Sequence, residues 1–130
     1  MFPWQSAVVS PGMTDSRAKA IDDLDLLLVA LDELADLLVV VRGRYVNARE
    51  SLSAGDSVET ALSKAKAAET RELVTASLDE FEKCRHVSRL SMIAGGINEG
   101  MSINAISKSW GVSRQLISRL VAMIPKDGEQ

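Results

Sequence analysis

Apolar residues recur at three- and four-residue spacing over a long stretch near the start of the chain. Leu24, Leu28, Leu31, Ala35, Leu38 and Tyr45 form one stripe, and Leu27, Leu34, Val41 and Ala48 run beside it. This periodicity predicts a single helix over 15–53. Asp25, Asp32, Glu33 and Asp36 interrupt its apolar run, and charges at a bilayer centre cost several kcal/mol each. We therefore read it as a helix in water rather than a membrane span. The two stripes make a face wider than one antiparallel partner helix would cover. Burying apolar surface is worth about 25 cal/mol per Å². We accordingly expect a coiled-coil-like interface between copies through Leu24, Leu27, Leu28, Leu31, Leu34, Leu38 and Val41. Gly43 costs about 1 kcal/mol against alanine in a helix, so it marks either a kink or a close crossing.

A turn follows at Ala54-Gly55-Asp56-Ser57. Gly55 suits the left-handed position after a helix. Asp56 with Glu59, or Ser57 alone, would cap the next helix. That helix is expected over 57–83, with a thinner, alanine-rich face from Val58 through Leu73 to Phe81. Small residues let it lie close to the first helix, and the two together read as an antiparallel hairpin. A further helix is expected over 86–99, ended by Gly100, with Val87, Leu90, Ile93 and Ile97 turned inward. The sequence leaves open whether it continues the preceding one. Gly95-Gly96 weakens it and permits a close approach.

The segment from Ser102 to Val121 reads as two short helices joined at Gly111. Ile106 and Trp110 are four apart and share a face, so Trp110 is expected in the core. Ser107 is small, where the helices would cross. Glycine takes a positive φ without steric cost. Val112 plugs the turn, and Ser113 is a good N-cap. Ile117, Leu120, Val121 and Ile124 then form the core-facing stripe of an amphipathic helix, stopped near Pro125. A rotation of about 100° per residue puts Gln115, Ser118 and Arg119 opposite that stripe, with Arg114 on its flank.

This pattern, Ile106-Ser107, Trp110-Gly111-Val112, Ser113-Arg114-Gln115, Ile117 and Leu120, resembles the helix-turn-helix of bacterial and phage transcriptional regulators, repressors and site-specific recombinases. The resemblance covers roughly residues 86–124. One departure is Ser107, where alanine is usual. The resemblance implies that the second short helix enters the major groove of double-stranded DNA. Arg114, Gln115, Ser118 and Arg119 are the expected base-contacting residues, since Gln suits adenine and Arg suits guanine. Ser102, Asn104, Lys108 and Ser113 are expected at phosphates. Arg85, Arg89 and Lys126 are weaker phosphate candidates.

Charge is divided along the chain. The net charge is −3, but residues 1–83 hold nine Lys/Arg against fifteen Asp/Glu, whereas residues 84–130 hold six against three. An acidic module, 15–83, thus precedes a basic one, 84–130, that contains the resemblance. Local charge, not the total, governs phosphate binding. Residues 1–14 lack the basic start and apolar core of a secretory signal. We expect them to be a disordered tail, and Met13 would also serve as a start.

The expected fold is all-α: a long antiparallel, dimerising helical hairpin followed by a three-helix DNA-binding unit. The expected function is a sequence-specific homodimeric or higher even-oligomeric regulator, a repressor rather than an activator because occupancy alone represses. It would work in the cytoplasm, on a bacterial nucleoid or in a phage-infected host. Two other classes remain open: an architectural DNA-binding protein of low specificity, and a helical protein–protein adaptor such as an antitoxin or polymerase-binding factor. No inducer is indicated. Enzyme chemistry is not expected. The single Cys84 excludes an internal disulfide, and Cys84 and His86 have no further ligands at metal spacing. No second histidine offers a catalytic pair, and the carboxylates of the first helix read as its wet face. No phosphate-binding glycine loop occurs, so no cofactor or metal is expected.

Overall fold

The computed structural model describes residues 11–125. Its helices are α1 (Pro11–Ser53), α2 (Val58–Lys64), α3 (Ala67–Asn98), α4 (Ile103–Trp110) and α5 (Arg114–Ala122). Among the described residues no strand occurs, and the protein is all-α. None of these helices is long and apolar enough to cross a membrane.

Two boundaries depart from the sequence-based expectation. First, α1 begins at Pro11, so residues 11–14 are helical rather than part of a tail; residues 1–10 lie outside the described residues. Second, the expected helix over 57–83 is broken early. Ala65 ends α2 with its N–H on the Ala61 carbonyl, the Lys66 N–H reaches the Ser63 carbonyl at 3.0 Å, and Lys66 takes a left-handed φ of 51°. The Lys66 carbonyl then accepts the Thr70 N–H at 2.8 Å. Neither glycine, proline nor asparagine announces this break. The question left open between residues 83 and 86 is answered by α3, which runs unbroken through them.

The chain divides into two units, with both divisions falling inside helices. Unit 2 is Leu27–Cys84; unit 1 takes the chain up to Leu26 and from Arg85 onward.

In unit 2, covered positions on α1 recur with alternating spacings of three and four, from Leu27, Ala30, Leu34 and Leu37 through Val41 and Arg44 to Ser51. On α3 the same alternation runs through Thr70, Val74, Ser77, Phe81 and Cys84. A strict repeat of about 3.5 residues is a narrow seam, not a broad amphipathic face. Much of it is small or polar. Arg44 supplies its polar tie: the guanidinium donates to Thr70 Oγ1 at 2.8 Å and pairs with Glu69 at 2.7 Å. The turn after α1 is closed by Gly55 at φ 95° and by the Asp56 N–H on the Ser51 carbonyl. Ser57 is the N-cap of α2, accepting the Thr60 N–H at 3.1 Å. Asp56 instead accepts from Ser51 at 2.6 Å and Lys64 at 2.8 Å.

The sequence-derived interface residues therefore fall into two groups. Val41 is buried and Leu27 and Leu34 are half-buried within the single chain, whereas Leu28, Leu31 and Leu38 are exposed. Leu24, in unit 1, is half-buried. The two stripes are separate faces, not one wide one. α1 continues unbroken through Gly43, and an added Cβ there would meet nothing within 4 Å. Neither a kink nor a close crossing within the chain explains that glycine.

In unit 1, Arg17 pairs with Glu99 at 2.6 Å, and the buried Asp23 pairs with Lys19 at 3.0 Å. A Cβ on Gly95 would lie 3.5 Å from the Ser16 hydroxyl, the close approach that the glycine pair permits.

Candidate nucleic-acid interface

α4 and α5 are too short to persist alone in water, and local chemistry defines both. Ser102 caps α4, its hydroxyl accepting the Ala105 N–H at 3.0 Å. Gly111 ends α4 in the left-handed conformation, φ 70° and ψ 33°. The Val112 N–H then reaches back to the Ser107 carbonyl at 3.1 Å. Ser113 caps α5 by accepting the Leu116 N–H at 3.0 Å. Two serine caps and one left-handed glycine thus account for the start of α4, the turn and the start of α5.

Packing fixes the rotation of α5. Ile93 of α3, Ile106 of α4, and Ile117 and Leu120 of α5 form a buried cluster. Leu90, Ile103, Val112, Leu116, Val121 and Ile124 pack around it. Ser107 is buried, as its small size at the crossing requires, and its hydroxyl donates to the Asn104 carbonyl at 2.9 Å. With Ile117 completely covered, the opposite side of α5 faces out.

The four residues expected at bases come together on that outer side. Arg114, Gln115, Ser118 and Arg119 are all exposed and, with Ile103, line one open hollow. None of them carries a hydrogen bond or ion pair to another side chain among the described residues. The residues expected at phosphates are also exposed, but they do not line that hollow. Lys108 and Asn104 lie on α4; Ser102 and Ser113 use their hydroxyls as caps. Arg85 is exposed. Arg89 is half-buried, with its Nε covered and without a hydrogen-bond acceptor. Lys126 lies outside the described residues.

Some core assignments need correction. Trp110 is 39 % exposed and stands outside the buried cluster. Four-residue spacing put it on the Ile106 face, but α4 ends at Trp110 itself, one residue before the turn. Val87 and Ile97 are also exposed, at 38 % and 40 %. Ile103 and Leu116 occupy positions in the core that the spacing argument did not assign.

No group of three or more His, Cys, Asp or Glu residues suited to a metal ion occurs among the described residues. Compared with known proteins, the chain matches no family model, no curated protein and no solved structure.

Proposed function

We propose that this chain is a sequence-specific, dimeric DNA-binding regulator that represses by occupancy. In this reading α4, the Gly111 turn and α5 form a helix-turn-helix with the last part of α3 as its supporting helix. α5 is the recognition helix. α1 and α3 form an antiparallel hairpin in unit 2 that serves self-association. One observation carries the reading: Arg114, Gln115, Ser118 and Arg119 meet on the exposed side of a helix whose other side is locked by Ile117 and Leu120. Arginine and glutamine are the side chains suited to bidentate hydrogen bonding of guanine and adenine edges.

The distribution of charge along the sequence supports the same division of labour. The basic excess after residue 84 belongs to the sequence that holds α5, and the acidic excess precedes it. An acidic surface repels a duplex, so unit 2 contributes through association rather than contact.

Selection of bound sites from random duplex DNA by the full chain tests the proposal. The expected result is enrichment of a motif with two-fold symmetry, bound with steeply salt-dependent affinity because counterions are released from neutralised phosphates. Equal binding of all sequences would instead fit an architectural protein. Absence of binding at low salt would refute the DNA reading.

A further inference from the structure

We propose that two copies of this chain pair antiparallel along a second, exposed seam of α1, in the register that sets Leu28 of one copy against Tyr45 of the other. The proposal rests on the reading of the chain as self-associating, and specifies surface, direction and register.

The seam is defined by helical spacing among exposed residues, since Val29, Val39 and Val40 are exposed too, at 53 %, 74 % and 48 %, but fall off it. In unit 2, Leu28 is 56 % exposed, Leu38 51 %, Tyr45 58 % and Leu52 48 %. Leu31 and Ala35 are also exposed. Each of the first three lies one or a few positions from a residue of the covered seam, such as Leu27, Leu37 and Arg44. One residue is a rotation of about 100°, so the second seam is a separate face. With Arg42 and Arg49 counted at its two charged positions, its spacing alternates between three and four, as coiled-coil seams require. Single exposed leucines need no explanation, but a run of exposed apolar residues at seam spacing, interrupted only by Arg42 and Arg49, marks an interaction site.

The occupant follows from the pattern of the stripe itself. Read in reverse, its spacing is unchanged. Centred between Ala35 and Leu38, reversal pairs Leu28 with Tyr45, Leu31 with Arg42, and Ala35 with Leu38. A small residue then faces a large one, which fills space without overlap. Arg42 lies over Leu31 and beside Asp32 of the second copy. Neither the Arg42 nor the Asp32 side chain has a hydrogen bond or ion pair among the described residues. Charge along this part of α1 is polarised in the same sense: Asp32, Glu33 and Asp36 precede Arg42, Arg44 and Arg49, with Glu50 the exception. Antiparallel pairing brings the acidic stretch to the basic one. Parallel pairing in register would set Arg42 against Arg42 and Ala35 against Ala35, a repulsion and a gap.

Sedimentation equilibrium of the full chain is the test. The unaltered protein is expected to dimerise at micromolar concentration. Asp32→Arg and Arg42→Asp should each weaken dimerisation by roughly tenfold or more. Mixing the two variants should restore it, since both contacts re-form only between unlike chains. Both positions are exposed, and circular dichroism should show unchanged helix content. A second pair of chains, Ala35→Cys and Leu38→Cys, each with Cys84→Ser, should oxidise preferentially to the mixed disulfide. If the unaltered chain dimerises but the mixture gains nothing and the mixed disulfide is not preferred, this register is overturned while self-association stands. A monomeric unaltered chain would overturn both.

Discussion

The Arg44 guanidinium donates to the Thr70 hydroxyl at 2.8 Å, and Thr70, fully covered, donates in turn to the Ala65 carbonyl at 3.1 Å. This chain of hydrogen bonds links α1, the break after α2 and the first turn of α3. Thr70→Val keeps the shape but leaves Arg44 and the Ala65 carbonyl each short of a partner. Leaving a buried polar group unpaired costs about 1–3 kcal/mol, and we expect a loss of that size in urea unfolding. Thr70→Ser should recover most of it. Glu69→Gln should change much less, because Glu69 is 56 % exposed and exposed ion pairs contribute about 0–1 kcal/mol.

Two glycines should respond to alanine with opposite signs. Gly43 lies inside α1, and its added Cβ would meet nothing within 4 Å. Gly43→Ala is expected to raise stability by about 1 kcal/mol, the difference in helix propensity. Gly111 has equally open surroundings but a φ of 70°. Gly111→Ala should lower stability by about 1–2 kcal/mol, the cost of a side chain in left-handed backbone. Thermal and urea unfolding of the two variants would check both signs.

Asp56 should titrate below the ordinary carboxylate range. The hydrogen bond from Lys64 is the largest cause, followed by that from Ser51 and the charge of Lys64. A carboxyl whose pKa is lower in the folded chain stabilises the fold above its unfolded pKa. That contribution disappears as pH falls through the folded value. The stability difference between the unaltered chain and Asp56→Asn should therefore narrow with acidification below the ordinary carboxylate range. Carboxyl-carbon NMR titration of Asp56 would show the lowered midpoint directly.

The proposed base contacts and phosphate contacts should fail differently. Arg119→Ala and Gln115→Ala should each cost about 1–3 kcal/mol on the preferred site and relax the sequence preference. Lys108→Ala should weaken binding to all sequences alike and lower the salt slope by about 1. Circular dichroism should remain unchanged in all three. Wild-type affinity in both Arg119→Ala and Gln115→Ala would show that α5 does not read bases.

The short helices were more legible in the sequence than the long ones. Ser102, Gly111 and Ser113 act through backbone conformations and caps that only a few residue types supply, so their positions alone placed α4 and α5. Ile106, Ile117 and Leu120 then fixed which side faces out. The early break at Lys66 had no such marker, because a lysine in left-handed backbone is held there by the surrounding helices rather than by its own preference. Continuity across residues 83–86 was equally unmarked, as Lys83, Cys84, Arg85 and His86 neither promote nor forbid helix strongly. Trp110 misled for a different reason. Periodicity assigns a face, but it does not say whether neighbouring elements extend far enough to cover that face at a helix end.

The interruption of unit 1 by unit 2 has a consequence for how the protein is made. Leu27–Cys84 lies wholly between the two stretches of chain that form unit 1. A ribosome delivers it complete before Ile93, Ile106 and Ile117 have all emerged. Unit 2 can therefore order while synthesis continues, whereas the surface presented by Arg114, Gln115, Ser118 and Arg119 is assembled last. Translation that stops after Cys84 would release the α1–α3 seam residues without that surface, leaving a product able to present Leu28, Leu38 and Tyr45 but none of the proposed base contacts.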